Sequence, residues 1–275
     1  MQIKKCKRIM RKIKLGMPVT ILLIFGWIFV FGNYGKNSLT GIENQIEIFT
    51  NEVAEWSNHF TGYFCFTVAD LNQDGNLELI VSTIEGSGDY SFTNYYVIEY
   101  KTVQLMQLQE DECSVALIND FLEGEQVNDG THRIVDNGIT YVPVYYNKND
   151  NIFYYIHHDY SGHTPYEARD KVYSLSLENN SIREELLAYK ETTCDEPYSS
   201  NVSINYWDSF QNEISEAEYN KISEKIYVNC DKMEMCWKWK RVETKEEVQN
   251  MNKEELKKLL MELYENFKIM NKFDE

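Results

Sequence analysis

The chain has 275 residues and carries 27 Lys and Arg against 44 Asp and Glu, a net charge of −17. That balance repels polyanions, which excludes a nucleic-acid partner and favours cations and basic partners. The length suits one sizeable domain behind a short leader.

Residues 1–14 form a basic segment with seven cations (Lys4, Lys5, Lys7, Arg8, Arg11, Lys12, Lys14) and no acid. An uncharged, strongly apolar stretch follows from Leu15 to Gly35, close to the ~20 residues that span a bilayer as a helix. Small residues at a cleavage position are poorly represented, since Val30 and Gly32 stand beside bulky Trp27, Phe29 and Phe31. The pattern predicts an uncleaved transmembrane signal-anchor over 15–35, with the basic end cytoplasmic and residues 36–275 outside. The alternative is secretion after signal cleavage. Seven of the 27 cations then lie inside, leaving 20 against all 44 acids, a net of −24 for the exterior.

Beyond the span, Ile42, Ile46, Phe49, Val53 and Trp56 recur at helical spacing. Tyr63–Ala69 and Leu77–Ile84, rich in aromatic and β-branched residues, predict two strands around a polar loop. Further strand-like runs at 94–100, 139–146, 152–158 and 172–177 are separated by turns such as Asn137-Gly138 and 147–151. They predict an antiparallel meander. Ser114–Leu122 predicts a short helix. Near the end, Ser215 with Glu218 and Asn252 with Glu255 have capping-box spacing, and Leu256, Leu259, Leu260, Leu263, Tyr264 and Phe267 share one helical face. The expected fold class is α+β: an antiparallel β-sheet (meander) packed by helices near both ends, plus the one N-terminal transmembrane helix.

The loop between the first two strands carries the clearest chemistry. Asp70, Asn72, Asp74, Asn76 and Glu78 place oxygen donors at positions 1, 3, 5, 7 and 9 of a calcium-type loop, with Gly75 at position 6. Calcium takes six to eight hard oxygens, so the chain wraps the ion, Gly75 allows the sharp bend, and Asn76 donates its carbonyl. Position 12 is Val81, where a helix-loop-helix site has a bidentate Glu, so Glu78 supplies the last carboxylate here. Magnesium fits this set less well, and a transition metal would call for His or Cys. An acidic hairpin tip is the plainer reading of the same residues.

The segment from Tyr63 to Ser82, reading Phe-Thr-Val-Ala-Asp-Leu-Asn-Gln-Asp-Gly-Asn-Leu-Glu-Leu-Ile-Val over Phe66 to Val81, resembles the strand-flanked calcium loops of FG-GAP and VCBS-type proteins. It is more similar still to a group of exported proteins of low-GC Gram-positive bacteria that carry a single such EF-hand-like loop after an N-terminal helix. The resemblance implies Asp70, Asn72, Asp74, Asn76 and Glu78 as Ca2+ ligands, and it implies no activity. One loop argues against a multi-bladed propeller.

Other features are weaker. Cys65, Cys113, Cys194, Cys230 and Cys236 are odd in number, which leaves at least one thiol outside any intrachain pairing; a small Cys230–Cys236 bridge is one option. His157 and His158 point to opposite faces of a strand and cannot easily share a metal, although His157, Asp159 and His163 could. Trp237 and Trp239 share a face if extended, as a sugar-stacking pair would, but large aromatics more often fill a core. The expected function is a membrane-anchored, extracytoplasmic calcium-binding module that interacts with an envelope protein or glycan, the ion being mainly structural, with no catalytic residues assigned. The alternative is an envelope hydrolase acting on wall polymer or peptide.

Overall fold

The computed structural model describes residues 41–60, 62, 64–85, 90–108, 138–161, 166–178, 181–196 and 201–270. The expected anchor at 15–35, the helix at Ser114–Leu122, Cys113 and His163 lie outside them. Among the described residues no helix is long and apolar enough to cross a membrane.

The apolar stripe after Gly41 folds as two helices, α1 (Gly41–Asn51) and α2 (Val53–Ser57). Ile46, Phe49 and Trp56 are buried, and the Trp56 indole donates to the Phe49 carbonyl (2.9 Å), which ties the two together. Strand β1 (Phe64–Ala69) is buried at every position. Phe64 and Phe66 meet Phe60 and Trp56, with ring centroids 4.9 and 5.3 Å apart. Cys65 and Ala69, on the opposite face, enter a core shared with a second sheet. A strand covered on both faces reads as a continuous apolar run rather than an alternation, as this one does.

β1 pairs antiparallel with β2 (Glu78–Glu85), with Ala69 opposite Glu78, so residues 70–77 connect the hairpin. β3 (Tyr90–Glu99) and β4 (Thr102–Leu105) continue the meander. Eight more strands follow in the described chain: β5 (Gln107–Leu108), β6 (Ile139–Asn147), β7 (Ile152–Ser161), β8 (Glu167–Glu178), β9 (Ser181–Cys194), β10 (Val202–Asp208), β11 (Glu213–Ile214) and β12 (Asp231–Lys238). β13 (Lys240–Val242) is the last.

The α+β class and the antiparallel pairing agree with expectation, but there are two sheets and not one. The first runs β13-β1-β2-β3-β4, the second β11-β10-β9-β8-β7-β6-β12, with β5 added in parallel beside β9. Each sheet is largely a meander closed by a late strand: β12 returns to pair with β6, and β13 with β1. Trp239 alone separates these two strands, handing the chain from one sheet to the other. Its indole donates to Thr140 Oγ1 (2.9 Å), and its ring meets Trp237 edge-on at 5.9 Å. Both tryptophans are buried, so they serve the core.

Between the sheets lie Ile80, Tyr95, Val144, Tyr155, Leu175 and Met235, among others. The outer face of the second sheet is covered by α3 (Glu216–Tyr219) and α4 (Ile222–Ile226), which set Tyr219 and Ile222 against Ile156, Val172 and Leu187. α3 opens on the expected capping box, with Ser215 and Glu218 exchanging hydrogen bonds. α5 (Lys245–Gln249) packs on α2, and α6 (Lys253–Met270) lies against β1 and β12, burying Leu256, Leu260, Leu263 and Phe267. Full burial of each such side chain contributes roughly 1.5–3 kcal/mol. No disulfide joins Cys230 to Cys236, so the small bridged loop does not form.

Candidate functional sites

The loop at 70–78 starts where β1 ends and closes where β2 begins, and its backbone is shaped by its own side chains. Asp70 accepts from the N–H groups of Asp74 (3.0 Å) and Gly75 (3.0 Å), one at each carboxylate oxygen. Asn72 Oδ1 accepts from Asp74 N–H (3.2 Å), and Asp74 Oδ1 from Asn76 N–H (2.8 Å). The side chains at positions 1, 3 and 5 thus all turn into the loop. Gln73 and Gly75 both have positive φ (56° and 83°), a conformation that glycine adopts without cost at position 6.

Glu78 closes the loop from below. It is 2 % exposed, and its Oε2 accepts from Leu71 N–H at 2.8 Å. Burial, with Asp70 and Asp74 nearby, holds its carboxyl well above the usual carboxylate range. Burial likewise pushes Asp70 up to about 6, against the hydrogen bond from Gly75, and the Asp74 charge adds to the rise. Among the described residues no ion pair joins a Lys, Arg or His to these acids. As placed, the carboxylates bond to loop N–H groups, and no three His, Cys, Asp or Glu side chains among the described residues converge as a metal cage.

Two residues that the sequence reading missed hold this loop. Gln45 of α1 donates to the Gly75 carbonyl (2.8 Å) and accepts from Leu77 N–H (2.8 Å), so one buried amide clasps both sides of the bend. Tyr155 of β7 donates its hydroxyl to the Leu71 carbonyl at 2.6 Å. Burial raises the Tyr155 hydroxyl well above its ordinary range, and the Glu78 and Asp70 charges add to the effect. Gln45 had a signal in the sequence, because it lies three residues after Ile42 on the apolar stripe. Tyr155 had none.

A cleft of about 760 Å³ opens on the outer face of the second sheet, between β8–β9 and the α3–α4 segment. His158 and Asp170 meet at its wall, Nδ1 to Oδ1 at 3.1 Å. His157 turns the other way, buried and stacked on Tyr173 at 5.7 Å. The two histidines occupy opposite faces of β7, as its alternation requires.

Compared with known proteins, the chain matches no family model, no curated protein and no solved structure.

Proposed function

We propose that residues 70–78 bind one calcium ion, with Asp70, Asn72, Asp74, Glu78 and the Asn76 carbonyl as ligands, in a membrane-anchored module acting outside the cell. Glu78 carries the proposal: a carboxylate 2 % exposed, at the foot of a loop with two more acids, has no basic partner among the described residues. A buried carboxyl is paired, bound to a metal or held protonated, and the donors gathered here are all hard oxygens, which suit calcium once the acids ionise. The ion would fix the loop and the β1–β2 register, so its role is structural before anything else. The basic flank and apolar run at 1–35 support export and anchoring. The acidic exterior and the aromatic strands support a role in interaction with an envelope protein or glycan.

The test is thermal unfolding of the full chain in detergent, with calcium, with magnesium and with chelator. Calcium should raise the melting temperature, equivalent to about 2.7 kcal/mol at a hundredfold excess over Kd, and Asp74→Ala should remove the rise. An unchanged melt of the parent protein in calcium refutes the ion site.

A second reading, an envelope hydrolase, has one observation in its favour. His158 beside Asp170 in a cleft is the arrangement of an imidazole oriented by a carboxylate. Hydrolysis of wall peptide or polymer by the parent and its loss in His158→Gln would support it; no turnover by the parent would exclude it.

A further inference from the structure

The outer-face cleft carries a row of polar side chains whose register is set by strand pairing. Asp170 of β8, Lys190 of β9 and Tyr206 of β10 are successive cross-strand partners, and His158 of β7 lies on the same face, two residues from the position that pairs with Asp170. Asp170, directly opposite Lys190, pairs instead with His158 at 3.1 Å. On the other side, the Tyr206 hydroxyl hydrogen-bonds the Glu216 carboxylate. The acids on both sides of Lys190 are therefore engaged elsewhere, and this half-buried lysine has no ion pair among the described residues. Around it, Ile156, Val172, Tyr206, Tyr219 and Ile222 supply apolar and aromatic surface. The cleft volume falls in the range of small-molecule sites.

We infer that this cleft binds a small monocarboxylate with an apolar or aromatic body, its carboxylate paired with Lys190 and its body against the tyrosines. Of the two lysines that line the cleft, Lys232 is held by Glu224 at 2.6 Å, which leaves the one charge of Lys190 to match one carboxylate. A phosphate, at nearly two negative charges, would meet about twice the repulsion from Glu216 and Glu234, the two acids of the cleft that have no cationic partner among the described residues. The inference is independent of the calcium loop, which lies at the β1–β2 hairpin of the other sheet, and it requires no turnover.

Titration calorimetry on the full chain in detergent, with calcium present, tests it using N-acetylphenylalanine, its amide and phenyl phosphate as probes. N-acetylphenylalanine should bind saturably, with the amide and phenyl phosphate each at least about tenfold weaker, the scale of one lost charged hydrogen bond. Lys190→Met should lose the same factor with an unchanged far-ultraviolet spectrum, and Lys190→Arg should retain binding. Equal binding of acid and amide, equal binding by parent and Lys190→Met, tighter phenyl phosphate, or no binding of the acid would each overturn it.

Discussion

At Asp70 and Glu78, burial and function pull in opposite directions. Both carboxyls are shifted towards the protonated form, Asp70 to about 6, because water is excluded and acids face acids. In the calcium-free protein the folded state then holds more protons than the unfolded chain, where an Asp titrates near ~3.9. Stability therefore falls as pH rises from about 4 to about 6 and is regained on acidification. Calcium binds the ionised forms and reverses that dependence. Denaturant midpoints in chelator should decrease between pH 5 and pH 7, while those in saturating calcium should not, and Asp70→Asn should flatten the chelator curve. Equal pH profiles with and without calcium would contradict this. A separate consequence concerns thiols: burial pushes Cys65 up to about 12 and Cys236 up to about 11. Both should resist alkylation in the folded protein at pH 8, while the more exposed Cys194 and Cys230 react first, as peptide mapping would show.

At the scale of the elements, the loop depends on α1 as much as on its own residues. Gln45→Ala removes two hydrogen bonds at once and leaves a buried Leu77 N–H without its partner, at a cost of about 1–3 kcal/mol. Urea unfolding should show that loss, together with weaker calcium binding; full retention of both would remove α1 from the account. Gly75→Ala is a milder change. An added Cβ meets nothing within 4 Å, so only the positive φ opposes it, at about 1–2 kcal/mol. The strand-loop-strand unit was legible because two apolar runs bracket alternating oxygen donors. The Gln45 and Tyr155 contacts were not, since they join residues 30 and 84 positions apart. β9 was hidden for another reason: Glu184, Glu185, Leu186, Leu187 and Ala188 are good helix formers. Pairing with β8 on one side and β10 on the other overrides that local preference.

For the whole molecule, the decisive feature is a core shared by two sheets and crossed by the single residue Trp239. The expected meander captured the local order of strands but not the return of β12 and β13 to early partners, because such closure has no local periodicity. Trp239→Ala should cost about 3–5 kcal/mol, by loss of buried surface and of the Thr140 bond. Since residues of both sheets fill one core, they should unfold together, with coincident fluorescence and circular-dichroism transitions. Separate transitions would show the sheets to be independent.

Equilibrium dialysis of the full chain against calcium bears most directly on the central claim. One ion per chain is predicted, saturating in the ~10⁻⁴ to 10⁻³ M range typical of extracellular modules, and lost in both Asp70→Ala and Glu78→Gln. Absence of saturable binding, or binding that survives both substitutions, would contradict it.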